Sequence, residues 1–171
     1  MNTMKRIRIE KLTLNIGAGK EQAVLNKGIN LLKQITGISP VKTVTQKRLA
    51  AWGLRPGLPI GCKITIRNSK AKELLQRLLM ARENVLRESN FDNYGNVAFG
   101  IPEYIDIPNT KYDPAIGIMG LQACVTLERP GFRIKKRKIM KTKIKSSHRI
   151  NQQEAIAYFQ DEFKTKVGEE E

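Results

Sequence analysis

The chain has 171 residues, 40% hydrophobic and 27% charged, a globular composition that sets aside a disordered polyelectrolyte and suits one domain around a single core. Lysine and arginine number 31 against 16 acidic residues, a formal charge of +15, and a surplus that large favours a polyanion as partner. No apolar run approaches the roughly 20 residues that span a bilayer, and residues 1–9 hold no continuous signal-peptide segment, so a cytosolic protein with no membrane partner is expected.

Along the chain, Lys11 to Ile16 alternates, with Leu12, Leu14 and Ile16 on one side and Lys11, Thr13 and Asn15 on the other, the period of a half-buried strand. Gly17 and Gly19 break it. From Glu21 to Thr36, Val24, Leu25, Ile29, Leu31, Leu32 and Ile35 recur at helical spacing, and Gly37 is placed as a left-handed C-terminal cap. A second strand is expected after Pro40, around Thr43, Val44 and Thr45. A third runs from Ile60 to Arg67, with Cys62, Ile64 and Ile66 facing inward and Lys63, Thr65 and Arg67 outward.

Ser69 is a candidate cap for a second helix whose stripe is Leu74, Leu75, Leu78, Leu79, Val85 and Leu86. Phe91 to Pro114, rich in Gly, Pro, Asn and aromatic residues, reads as loop and short strand. Ile118 to Leu127 is a further strand, closed by Arg129-Pro130-Gly131. Asn151, with Glu154 three residues on, predicts a capping box for a last helix carrying Ala155, Ile156, Phe159 and Phe163, ahead of an acidic tail from Glu169 to Glu171.

Strands interleaved with amphipathic helices predict an α+β fold, a mostly antiparallel sheet with helices packed on one face. The opposite face, polar and basic, would show Lys11, Thr13, Asn15, Thr43, Thr45, Lys63, Thr65 and Arg67. Such side chains suit RNA, because they meet phosphates, 2′-hydroxyls and base edges. A face of that kind is also often merely wet, with threonine present for its strand propensity.

The connection at about 46–59 is long for a hairpin and projects as an arm in this reading, carrying Gln46, Lys47, Arg48, Trp52 and Arg55. Trp52 suits stacking on a base, and equally suits the core. The densest charge lies at about 129–149, with Arg133, Lys135, Lys136, Arg137 and Lys138 at its heart and His148 near its end. It is expected to order fully only against phosphates; a localisation signal or a solvated tail is the competing reading.

Little in the sequence points to catalysis. Gly17-Ala18-Gly19-Lys20 lacks the spacing of a phosphate loop. His148 is the sole histidine, which rules out a histidine pair, and it is expected to contact RNA or solvent. Cys62 and Cys124, without Cys-x-x-Cys spacing, read as reduced core thiols. The chain is read as a non-enzyme without cofactor or metal.

Several runs resemble one family: Ile9-Glu10-Lys11-Leu12 leading into Leu14-Asn15-Ile16-Gly17, then Gly61-Cys62-Lys63-Ile64-Thr65-Ile66-Arg67, Phe99-Gly100-Ile101, and Lys111-Tyr112-Asp113-Pro114 through Ile116-Gly117-Ile118. Together they resemble the large-subunit ribosomal protein L-five family in its archaeal and eukaryotic form, over nearly the whole chain. The resemblance implies a single 5S rRNA-binding domain over 1–171, placed in the central protuberance and bridging 5S to 23S-type rRNA. It also implies a tRNA-contacting role for the 46–59 loop at the P site, neighbouring ribosomal proteins as partners, and a bridge to a protein of the small-subunit head. Asn2-Thr3-Met4 departs from the family's Asn-Pro-Met, and Ile139, Met140 and Ile144 interrupt the basic segment. A non-ribosomal RNA chaperone or a nonspecific nucleic-acid-binding protein is the competing reading.

Overall fold

The computed structural model describes residues 2–168; the expected acidic tail lies outside them. Strand β1 (Arg8–Gly17) is the centre of the architecture. Its alternation buries Leu12, Leu14 and Ile16, and helix α1 (Gln22–Thr36) follows, ended by Gly37 in the left-handed conformation expected of it (φ 70°). After the edge strand β2 (Val41–Val44), β3 (Pro59–Ile66) pairs antiparallel with both β2 and β1. Gly61 is required in β3, since a Cβ there would lie 2.7 Å from the Ile16 carbonyl oxygen.

Helix α2 (Asn68–Met80) buries Ala71, Leu74, Leu75, Leu78 and Leu79. Two expectations fail here. Arg67 occupies the cap position and no side chain caps the helix, so Ser69 lies inside the first turn. Val85 and Leu86 are not in the helix either: Glu83 and Asn84 adopt positive φ (54° and 57°), the chain reverses, and β4 (Val85–Leu86) pairs in parallel with β7 (Lys166–Val167). A spacing of seven between Leu78 or Leu79 and Val85 or Leu86 fits a helix, but the turn intervenes.

The Gly- and Pro-rich stretch contains β5 (Asn96–Ile101), which pairs with β6 (Leu121–Glu128), and β6 pairs with β1. The result is a five-stranded antiparallel sheet in the order β2-β3-β1-β6-β5. One face supplies Ile64, Ile66, Val97, Phe99, Val125 and Leu127 to a continuous core shared with the long helices. After a short turn of helix, α3 (Arg133–Lys136), and an irregular stretch, α4 (Gln152–Phe163) starts where Glu154 Oε2 accepts from the Asn151 N–H at 3.1 Å, as the capping box predicts. It buries Ala155, Phe159 and Phe163, with the Phe159 ring edge-on to Phe91 at 5.6 Å.

Candidate nucleic-acid interface

Strand pairing sets the pattern of the sheet's other face, because side chains one position from each core residue point away from the helices. The register gathers them into rows. Lys63, Asn15, Gln122 and Gly100 form one; Thr65, Thr13, Cys124 and Ala98 the next; Lys11, Thr126 and Asn96 the third. Asn15 Nδ2 donates across the first row to Gln122 Oε1 at 3.4 Å. Arg67, one residue beyond β3, is exposed and extends the third row by alternation. Thr43, opposite Gly61, stands at the β2 margin.

Lys63, Thr65 and Arg67 are exposed, while Lys11, Thr13, Asn15 and Thr43 are half-buried by their neighbours. Thr45 does not join them. The register shifts between Thr43 and Val44, which carries Thr45 out of the strand to the base of the loop, 8% exposed. Its hydroxyl donates to the Leu58 carbonyl at 3.3 Å.

Gln122, Thr126 and Asn96 share the face and were not among the residues expected on it. The signal was present in β6, where Leu121, Ala123, Val125 and Leu127 alternate with Gln122, Cys124, Thr126 and Glu128. The same alternation corrects Cys124, which is half-buried on this face, whereas Cys62 is wholly buried in the core. Burial pushes the Cys62 thiol above its ordinary pKa.

The 46–59 connection is folded on itself. Leu49 and Leu54 exchange backbone hydrogen bonds of 3.1 and 3.0 Å, the Gly57 N–H reaches the Thr45 carbonyl at 2.8 Å, and Leu54 is buried. Ala50–Trp52 form a single 3-10 turn closed by Gly53 at positive φ. Trp52 is 70% exposed, so the core reading of this side chain fails. Gln46, Lys47, Arg48 and Arg55 are also exposed around it.

The basic segment is anchored at several points by protein groups. Phe132, Ile144 and Ile150 are buried, and Arg129, at its start, donates to the carbonyls of Lys5 and Arg149 and to Glu154 Oε1 at 3.1, 3.0 and 2.7 Å. Lys136 is neutralised locally by Glu10 at 2.6 Å and Glu128 at 3.1 Å. Burial works against its charge, but the two carboxylates outweigh it and raise its pKa. His148 Nε2 lies 2.9 Å from the Pro130 carbonyl and its ring meets Phe132 edge-on, so it is held by protein groups, neither free in solvent nor fully presented. Arg133, Lys135, Arg137 and Lys138 remain exposed, although Arg137 Nε donates to the Met140 carbonyl at 2.8 Å.

Among the described residues no group of three or more acidic, histidine or cysteine side chains is placed to hold a metal ion. No described helix is long and apolar enough to cross a membrane. What the face offers is chemistry for recognition: amides and hydroxyls at strand spacing in the middle, with cations toward the β3 end.

Two family models match the chain, one described as ribosomal protein L5 over residues 2–55 and one as the C-terminus of the same ribosomal family over residues 59–158. Similar proteins include the large ribosomal subunit protein uL5 of Nanoarchaeum equitans, 48% identical over 96% of this chain and 97% of that protein. The uL5 proteins of Sulfurisphaera tokodaii and Sulfolobus acidocaldarius are 42% and 44% identical, covering 99% and 98% of this chain and 96% and 94% of their own lengths.

Proposed function

This chain belongs to the ribosomal protein L5 family, a family of structural ribosomal proteins and not of enzymes, and on that premise we propose that it binds 5S rRNA in the large ribosomal subunit through the open face of its sheet. The single observation that carries this reading is the register that aligns Lys63 with Asn15 and Gln122, Thr65 with Thr13, and Lys11 with Thr126. Neutral donors and acceptors in rows suit ribose hydroxyls and base edges of a structured RNA, and the lysines and Arg67 suit its phosphates.

The exposed cations of the basic segment, Arg133, Lys135, Arg137 and Lys138, extend the contact toward 23S-type rRNA, so that the chain links the two RNAs in the central protuberance. Lys136, although exposed, and the half-buried His148 also hold protein groups: one neutralises Glu10 and Glu128, the other ties the segment to the Pro130 carbonyl. The loop carrying Gln46, Lys47, Arg48, Trp52 and Arg55 touches the P-site tRNA, with Trp52 as a stacking surface and the arginines against phosphates. Neighbouring ribosomal proteins, one of them in the small-subunit head, complete the set of partners.

The test is the affinity of Lys63→Ala and Arg67→Ala for 5S rRNA. Each variant should bind more weakly and lower the salt dependence of binding by about one counterion. Unchanged affinity in both, with unfolding curves intact, would mean that RNA approaches another surface.

A further inference from the structure

A cleft of about 530 Å³ opens at the β5 margin of the sheet, between the turn that precedes β5 and the basic segment, a size within the roughly 300–1,000 Å³ of small-ligand sites. Phe132, Ile144 and Ile150 give it an apolar floor. Lys135, Lys143 and Arg149 also line it, and among the described lining residues none is acidic. The cleft around Arg6, Arg8 and Lys72 differs, because Glu10, Glu128 and Glu162 stand among its cations.

Tyr94 completes the wall. It is 63% exposed, yet the turn that carries it is closely held. The Asp92 carboxylate accepts from the backbone N–H groups of Tyr94 and Asn96 at 2.8 and 2.7 Å and from Asn96 Nδ2 at 2.6 Å. Gly95 (φ 76°) seats the turn on the floor of the cleft, since a Cβ there would lie 2.6 Å from Ile150 Cγ2. A large ring is therefore presented to solvent by a backbone with little freedom to withdraw it. Arg149 donates through Nε to the Ile144 carbonyl at 3.3 Å, which orients its guanidinium at the rim and leaves the other nitrogens for an anion.

We propose that this cleft receives one unstacked nucleotide of RNA, its base against Tyr94 and the apolar floor and its phosphate against Lys143 and Arg149. An apolar floor and an aromatic wall select a flat ring, and an all-cationic rim selects negative charge. A nucleotide carries both on one unit. Asn96 belongs both to the cleft lining and to the third row of the sheet face, so an RNA lying on the sheet reaches the cleft without a gap. The inference deepens the RNA-binding reading and rests on it.

The test uses the full chain carrying Trp52→Ala and Tyr112→Ala, which remove the other exposed rings among the described residues, and compares a single-stranded pentanucleotide with an abasic strand of the same phosphate count. The intact strand should bind more tightly. Adding Tyr94→Ala should weaken the intact strand about tenfold and leave the abasic strand unchanged, while Lys143→Ala should weaken both equally. Equal binding of the two strands, an effect of Tyr94→Ala on both alike, or equal displacement by an acidic peptide of matched charge would overturn the proposal. So would failure of either strand to bind a protein that still binds 5S rRNA, an outcome that leaves the sheet-face reading standing.

Discussion

Arg129 reaches Glu154 at 2.7 Å with its own side chain only 6% exposed, and the same guanidinium holds the carbonyls of Lys5 and Arg149. One buried cation thus ties the N-terminal segment, the end of the basic segment and the start of α4. Arg129→Met removes three hydrogen bonds made by a buried guanidinium, while Glu154 itself stays partly solvated, and should destabilise the fold by about 2–3 kcal/mol. Glu154→Gln keeps an acceptor for the Asn151 N–H and should lose only about 1 kcal/mol. Urea unfolding of both variants checks the order; an equal or smaller effect for Arg129→Met would contradict this role.

The Glu10–Lys136–Glu128 cluster makes stability depend on pH. Burial pushes the Glu128 pKa up, but hydrogen bonds from Lys136 and Arg8 outweigh it and hold the carboxyl below its usual range. A depressed folded pKa contributes stability that is complete above the unfolded value of about 4.3 and is lost as pH falls through the folded one. Lys136, raised, contributes fully below about 10.4 and loses its contribution as pH rises through its folded pKa. Lys136→Met should therefore make the fall in stability below about pH 4.3 shallower, measured as melting temperature against pH. An unchanged acid limb would count against the cluster.

Cys124 reports on the sheet face directly. It sits between Thr13 and Ala98 in the middle row, whereas Cys62 is wholly buried with its thiol pKa raised. Iodoacetamide should modify Cys124 and spare Cys62, because the thiolate is the reactive form and must be reached. Saturating 5S rRNA should slow modification of Cys124 several-fold, read by mass spectrometry of the labelled peptides. Undiminished labelling in the complex would place the RNA elsewhere.

Trp52, on its 3-10 turn, supports nothing in the core. Trp52→Ala should shift stability by less than about 0.5 kcal/mol and leave 5S rRNA affinity unchanged. On assembled large subunits it should weaken P-site tRNA binding by the worth of one stacked base, about 1–3 kcal/mol. Loss of 5S rRNA binding in this variant would contradict the division of labour between face and loop.

Much of this was legible in local patterns. Alternation in β1 and β3 marked Lys11, Thr13, Asn15, Lys63 and Thr65 as one side of a sheet, and Gly37, Asn151 and Glu154 marked helix ends, because those signals involve residues within a turn or two of each other. Misreadings arose where distant groups decide. Thr45 is withdrawn by a register shift between β2 and β3, and Val85 and Leu86 are claimed by β7 from the far end of the chain. His148 and Lys136, besides, meet protein partners that no spacing announces. Gln122, Thr126 and Cys124 show a plainer lapse, since the period of β6 already placed them outward. Tyr94 was hidden in a stretch whose strand emerges only through pairing with β6.

The decisive comparison is binding of the full chain to 5S rRNA, to duplex DNA and to an unrelated folded RNA, titrated across a salt series. A marked preference for 5S rRNA that persists as salt rises is expected, because rows of neutral donors and acceptors contribute contacts that counterions do not replace. Equal affinities that collapse together as salt rises would contradict recognition by the sheet face and reduce the protein to a nonspecific binder of polyanions.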